Sequence, residues 1–491
     1  MKAPVYPSGQ IDMSGGRYDS SPAEQPRFLS QADCQDIAQR LARVAQGGGY
    51  TVTTIYSTWT GNVRWARNQI STSGEVRNDY VKVIRNLNGA LNNWVLINDT
   101  SDAALVAVAR RAERLARLEP ERPQSDLIGR LANEPAPEPK LFFEATYNLD
   151  AEQRAEAAVA LVGAAAQAGM LSAGYIEVSA QALALIDTFG HTRYCPYTTA
   201  RFGVTVRDPK GIGSGWAGVD WPDWSRIDGP KLAALALDKC LKSRNPVAVE
   251  PGRYTTILEP QAVCDFVKGL MEWGGTFHNE DDSPFKGMAG KQVIDPRITI
   301  TADPLDPDLG FPPFNPLLGT NVPFGDWFWY DVYHPVTWIK DGVFQQYAWG
   351  DRGQTVDGQY KSTTLESSGA FRMSVGGPPT PVDEMIAATK RGLLVTRFDR
   401  VKQLALRSQL YRGYTRDGLW LIEDGKLAKA AKNMAFTESI LFALNNIEQV
   451  GPPQRVFHPK NDSALIFLPE PVIVPPLKIR DFSFTALSNA I

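Results

Sequence analysis

Histidine is scarce in this chain of 491 residues: His191, His278, His334 and His458 are the full set. No two lie within a helical turn of each other. A helical zinc site needs two imidazoles on one face, so that arrangement is excluded. A site folded together from His278, His334, His458 and nearby carboxylates stays open. Cysteine is as sparse. Cys34, Cys195, Cys240 and Cys264 are scattered and form no Cys-x-x-Cys pair. This argues against a disulfide framework and a thiolate zinc site, and suits a reducing compartment. No apolar run approaches the ~20 residues needed to span a bilayer. The N-terminus lacks the apolar core of a secretory signal. The net charge of −3 leaves no electrostatic footprint for nucleic acid or an anionic membrane. A soluble, cytoplasmic protein is the expectation. Gly-x-Ser-x-Gly elbows, calcium-loop spacing and solenoid repeats are also missing.

What is present is ordinary globular composition, 43% hydrophobic and 21% charged. A single core stops growing at about 250–300 residues, so two domains are expected. Residues 1–30, rich in Pro, Gly and Ser, read as a flexible arm. Residues 31–245 and 246–491 read as the N- and C-terminal domains, with the break at Pro246–Gly252.

Ser30 caps a helical pattern with Ile37, Leu41 and Val44 on one face. The stretch YTVTTIYSTWTGNVRWARNQI, from Tyr50, alternates and predicts strands. Asn88-Gly89 signals a hairpin. Ser101 or Asp102 caps a second helix and Asp150 a third, closed by Gly169. SAGYIEVSAQALALIDTFG and TARFGVTVRD suggest a β-meander with a Gly-rich turn between Gly211 and Gly218. GPKLAALALDKCLKSRN predicts a helix before the break. Beyond it, short apolar runs bounded by Gly, Pro or Asp predict strands. Two helices interrupt them: ILEPQAVCDFVKGLMEWGG (257–275) and FTESILFALNNIEQVG (436–451). The fold class that follows is α+β in two domains, the second a largely antiparallel sheet with few helices.

Several segments invite chemical readings. KGIGSGWAG (210–218) lacks the terminal Lys-Ser/Thr of a phosphate loop and reads as a β-turn. His191 and Cys195 fall on one face of an expected strand, where a nucleophilic dyad is conceivable against the alternative of an inert core thiol. The acidic runs HNEDDS (278–283) and ADPLDPD (302–308) read as solvated loops that could take a divalent cation. The aromatic segment DWFWYDVYHPVTW places Trp327, Trp329 and Tyr333 on one face. It is either a doubly covered strand or the wall of a groove for an extended peptide.

Five phrases carry a resemblance: SPFKGMAGKQVIDPRITITADP (283–304), WIKDGVFQQYAWGDR (338–352), RGLLVTRF (391–398), the long run from Tyr411 to Gly451, and SALIFLPEPVIVPPLKIRDF (463–482). In order and spacing they resemble the C-terminal half of the TldD/PmbA family, also called TldD/TldE. NVRWARNQIST and DAALVAVARRAERLARL resemble its N-terminal domain. The resemblance implies a pair of related subunits. The TldD type binds zinc through a His-Glu-x-x-x-His helix and a C-terminal Cys and is a metallopeptidase. The TldE type shares the fold without those ligands. Together they degrade small unstructured peptides and trim leader segments.

By this resemblance the metal helix falls on 257–275. Lys268 and Gly269 stand near the first His and its Glu, and Trp273 near the second His. None of the three can ligate zinc: an ammonium has no lone pair, glycine has no side chain, and tryptophan only donates. The C-terminal Cys region corresponds to 458–464, which has no Cys; His458 and Asp462 are potential ligands there without helical partners. Ala262, Val263, Phe266, Val267, Leu270 and Met271 form an i, i+3, i+4 stripe, which gives the helix a packing role. The expectation is a chain without catalytic residues or metal of its own. Its partner would be a TldD-like zinc peptidase subunit, or a second copy of itself. The alternatives are an autonomous hydrolase and a homodimeric peptide-binding regulator.

Overall fold

The computed structural model describes residues 26–45, 48–87, 94–118, 135–270, 281–314, 335–345, 370–457 and 469–488. Everything below concerns these. The architecture is α+β, built on three sheets whose pairings are mostly antiparallel.

The first sheet is made by β1 (Tyr50–Ala66), β2 (Gln69–Asn86), β3 (Trp94–Ile97), β4 (Leu171–Asp187), β5 (Thr192–Arg207) and β6 (Ser214–Trp221), in the order β3-β2-β1-β4-β5-β6. Arg67 and Asn68 both have positive φ, 51° and 62°, which closes a two-residue turn from β1 to β2. The Gly-rich stretch splits: Gly211 turns with φ +70°, while Ser214–Gly218 already lies in β6. The expectation of a turn running to Gly218 is corrected accordingly.

Helices cover one face of this sheet. They are α1 (Gln31–Val44), α2 (Asp102–Ala116), the short α3 (Glu144–Tyr147), α4 (Ala151–Gln167) and α5 (Gly229–Lys242). Ser30 and Asp150 cap α1 and α4 through reciprocal capping boxes, and Ser101 rather than Asp102 caps α2. The covered face alternates with the other by strand period. Ile55, Val81, Val83 and Ala184 meet α1 and α2, while Val63, Ile176, Phe202 and Val204 meet α4 and α5.

The second sheet contains β7 (Gly252–Leu258), β12 (Arg391–Ala405), β13 (Leu410–Glu423), β14 (Lys426–Ala430), β15 (Met434–Ser439), β16 (Ile447–Val450) and β19 (Leu477–Leu487). Its pairings close on themselves: β12 to β7, β7 to β19, β19 to β15, β15 to β13, and β13 back to β12. The ring is packed with aromatics. Phe398, Phe436 and Phe482 lie 4.4–5.9 Å apart, and Phe266 from α6 (Pro260–Val267) joins them at 5.5–6.2 Å. The third sheet orders β8 (Ile298–Ala302), β9 (Val336–Lys340), β10 (Val343–Phe344), β11 (Phe371–Val375), β17 (Gln454–Val456) and β18 (Val472–Val474) as β10-β9-β8-β11-β18-β17. Two further helices are short, α7 (Val382–Ala387) and α8 (Ile440–Asn445).

Two helix expectations shrink. In 436–451 only Ile440–Asn445 is helical; Phe436–Ser439 belongs to β15 and Ile447–Val450 to β16. In 257–275 the first two residues end β7, α6 occupies Pro260–Val267, and Lys268–Leu270 tighten into a 3₁₀ turn. Each apolar pattern serves both a strand and a helix, so its length overstates the helix. Among the described residues no helix is long and apolar enough to cross a membrane.

Candidate functional site

Helix α6 is where the resemblance sets the metal helix. Its stripe is a core face: Ala262, Val263, Phe266, Val267 and Leu270 are buried. Met271 and Trp273 lie outside the described residues. Gly269 sits against the ring of Tyr411 on β13. The Tyr411 hydroxyl donates to the Gly269 carbonyl at 2.9 Å, and Gln403 Nε2 donates to that hydroxyl at 3.1 Å. A Cβ on residue 269 would stand 2.6 Å from both Cε1 and the hydroxyl oxygen of Tyr411. Real side chains do not approach so closely, so the volume a Glu would need is filled. Lys268, at the helix end, offers only a cation. These two residues do not fit a zinc ion.

The helix carries one buried carboxylate, Asp265. Its Oδ1 accepts from Gln261 Nε2 at 2.9 Å and its Oδ2 from the Phe398 N–H at 2.9 Å. Burial pushes its pKa up, opposed by Arg397 and by these hydrogen bonds. Oδ2 holds the ring strand β12 to the helix and Oδ1 is taken by Gln261 of the helix itself, so both oxygens have structural tasks. Gln261 also grips Phe457: its Nε2 donates to the Phe457 carbonyl at 3.0 Å and its Oε1 accepts from the Phe457 N–H at 3.1 Å.

Phe457 links this helix to the face of the first sheet that lies opposite the helices. Its ring lies edge-on to Tyr175 and Trp216 and under the Arg201 guanidinium, 4.7 Å from the ring centre. That sheet face is polar in its central part. Cross-strand register aligns Thr58, Gln181 and Tyr197 in one row. The next is Thr60, Ser179 and Thr199, and the third is Asn62, Glu177, Arg201 and Asp220. Thr60 and Ser179 hydroxyls are 3.0 Å apart, and Arg201 Nη1 is 3.7 Å from Glu177. Toward the other end the same face turns aromatic and apolar, with Tyr50, Tyr56, Leu183 and Tyr197 packed beside Leu141 and Phe314.

Charged side chains fasten the two sheets' surroundings together. Arg455, on β17, donates from Nε to the Asp220 carbonyl at 2.6 Å and bonds the Asp308 carbonyl through Nη1. Arg226 pairs with Asp308 at 2.7 Å, and Arg372 pairs with both oxygens of Asp306 at 2.5 and 2.8 Å. Within the acidic run 302–308, Asp306 and Asp308 are therefore paired with arginines, while Asp303 Oδ1 accepts the Leu305 N–H.

The remaining sequence candidates fare differently. His191 Nδ1 lies 2.8 Å from Asp187 Oδ2, whose other oxygen accepts the His191 and Phe189 N–H groups. Cys195 is buried and burial raises its pKa to about 12, so a His191–Cys195 dyad is replaced by a His–Asp pair and an inert thiol. The groove candidates Trp327, Trp329 and Tyr333 lie outside the described residues, as do Asn88-Gly89, His278, His334, His458 and Asp462. Sequence reading missed the polar rows. The signal was the alternation itself: Thr58, Thr60 and Asn62, then Glu177, Ser179 and Gln181, put polar residues where a doubly covered strand would carry apolar ones.

Compared with solved structures, the chain has the fold of TldE from Thermococcus kodakarensis: TM-score 0.71 and 14% identity, over 93% of this chain and 100% of that one. Two proteins described as modulators of DNA gyrase share it. The one from Thermotoga maritima has TM-score 0.71 and 13% identity, over 92% of this chain and 100% of its own. The one from Bacteroides thetaiotaomicron has TM-score 0.72 and 16% identity, over 92% and 98%. No curated protein matches the chain. Residues 251–486 match the family model of the PmbA/TldA metallopeptidase C-terminal domain. Over residues 251–486 the chain carries the C-terminal domain of the TldD/PmbA family.

Proposed function

We propose that this chain is the metal-free, TldE-like subunit of a TldD/TldE-type peptidase complex. In this reading a TldD-like subunit carries the zinc and cuts. This chain closes the chamber around small unstructured peptides, with residues 31–245 supplying the polar sheet face and 246–491 the ring and its helix. The complex works in the cytoplasm, where four unpaired thiols are at home.

One observation carries the reading. Tyr411 fills the space beside Gly269, and by the resemblance Gly269 and Lys268 stand near the places of the zinc helix's Glu and first His. The polar rows support the chamber. Hydroxyl and amide groups can hydrogen-bond an extended backbone while demanding little of its side chains. Related subunits commonly pair through equivalent surfaces, which suits a heterodimer of two like folds.

The test is an affinity pull-down of the tagged chain at its native level in its own cells, followed by metal analysis. A stoichiometric relative of similar size that brings zinc supports the proposal. Elution of the chain alone, together with bound metal or peptide cleavage, sinks it.

A further inference from the structure

We infer that the exposed end of the hairpin formed by β12 and β13 docks an acidic segment of a partner protein, through Arg400, Lys402 and Arg412. The inference goes beyond the peptidase reading and does not depend on it.

Positive charge is concentrated here. The chain as a whole carries −3, yet residues 397–416 hold six cations and one carboxylate, Asp399. The antiparallel register sets Lys402 directly opposite Arg412. Like charges placed so destabilise a sheet. A local rule broken at an exposed position points to a task other than folding.

The neighbouring carboxylates are engaged with other arginines. Asp399 takes Arg416 at 2.7 Å and Arg400 at 3.2 Å. Asp417 lies 3.5 Å from Arg397 and 3.6 Å from Arg416. In the turn, Arg407 acts on Asp281, whose pKa is lowered first by Lys286. Lys402 and Arg412 form no ion pair among the described residues. Tyr414 orders the cluster without neutralising it. Its ring centre lies 4.9 Å from the Arg400 guanidinium and 5.9 Å from that of Arg412. Such contacts position a cation and leave its charge intact. All three cations are exposed, so a partner reaches them from solvent.

The cluster is separate from the candidate site. Successive strand residues point to opposite faces. Tyr411 turns inward to Gly269, while Arg412 beside it is exposed. The partner's chemistry follows from this surface. Carboxylates complement the cations. Leu404, two residues beyond Lys402, is 55% exposed and offers an apolar contact that suits a protein segment and not a sugar-phosphate backbone. The Tyr414 ring is engaged by guanidiniums rather than presented for stacking on a base.

The test uses the full chain and three fluorescent probes, read by anisotropy at low salt. They are an octapeptide with Glu at alternate positions and one Leu, its Gln counterpart, and an oligodeoxythymidylate of the same charge. The Glu peptide should bind more tightly than the Gln peptide, and the difference should vanish in about 1 M salt. Lys402→Gln and Arg412→Gln should each weaken the Glu peptide by about two- to fivefold, as single exposed ion pairs do, and leave the Gln peptide unchanged. Neither variant should unfold at a lower temperature than the parent, because each removes one of two facing like charges. A role in the fold alone predicts the reverse. Equal binding of the Glu and Gln peptides, or binding of neither, overturns the inference. So does an oligonucleotide that binds more tightly than the Glu peptide and weakens in the same variants, which makes the patch a nucleic-acid site. Variants that aggregate yet keep the Glu peptide assign the cations to guarding an edge strand, and overturn it as well.

Discussion

The ring of Tyr411 occupies the place of a side chain at position 269: its hydroxyl donates to the Gly269 carbonyl at 2.9 Å, and a Cβ there would meet it at 2.6 Å. Overpacking of this kind costs about 1–3 kcal/mol. Gly269→Ala should therefore lower the unfolding free energy by that order in denaturant titrations. Paired with Tyr411→Ala, the double variant should lose less than the sum of the two single losses, by about 0.5 kcal/mol or more. Strict additivity would mean the two positions do not share the space.

An acid-sensitive fastening is expected at Asp306. Burial raises its pKa, but the two Arg372 bonds and the Asp308 and Leu309 N–H groups outweigh that and hold it below the ordinary 3.8. A lowered carboxyl pKa means stability that is present above 3.8 and lost as pH falls through the lowered value. Arg372→Met should be less stable than the parent at neutral pH, and the gap should narrow as the pH falls below the ordinary 3.8. Unfolding curves at a series of pH values measure it; a gap independent of pH would assign the loss to packing.

Lys82 gives a slope of the same sign, on the alkaline side. It is fully buried on β2, with its ammonium 4.8 Å from the Trp94 ring centre, and burial lowers its pKa to about 7. The unfolded chain holds that proton up to the ordinary 10.5. Stability should therefore rise between these two values, because the unfolded state binds more protons there. Lys82→Met should flatten the rise. The same rise in both proteins would place its source elsewhere.

The four thiols should be silent. All are buried, and burial raises Cys34 and Cys195 to about 12, Cys240 to about 11, and Cys264 well above the ordinary range. The thiolate is the reacting form, so a chromogenic disulfide reagent near neutral pH should label none quickly in the folded protein. Four should react after unfolding in guanidinium. Fast labelling of the native protein would show a thiol outside its described setting.

Local rules made much of the fold legible. Ser30 and Asp150 with their helices, Gly169 with φ +69°, and the alternation of β4 and β5 all follow from side-chain chemistry within a few residues. The helices at 257–275 and 436–451 were overextended because Ile257, Leu258 and Phe436 are apolar for the sake of strands that pair with distant residues. The candidate site was the least legible. Gly269 looks like a gap in a helix until Tyr411 arrives from β13, and Arg201 gains meaning only beside Phe457 and Arg455. The arginines that take Asp306 and Asp308 likewise come from Arg226 and Arg372, far along the chain.

The closed ring of the second sheet has a kinetic consequence. Its seam joins β7 to β19, with Thr256 opposite Ile479 and Leu258 opposite Leu477, while β8 to β18 lie in the chain between them. Such pairings delay folding, because the entropy of closing a very long loop must be met before the seam rewards it. Until then β7 and β19 each present an open edge, with Phe482 and Phe484 on one of them. Unpaired edges of that kind invite pairing with other chains. The vulnerable species is thus a half-zippered ring, and the dose of chaperone needed to recover soluble protein should track how long the seam stays open.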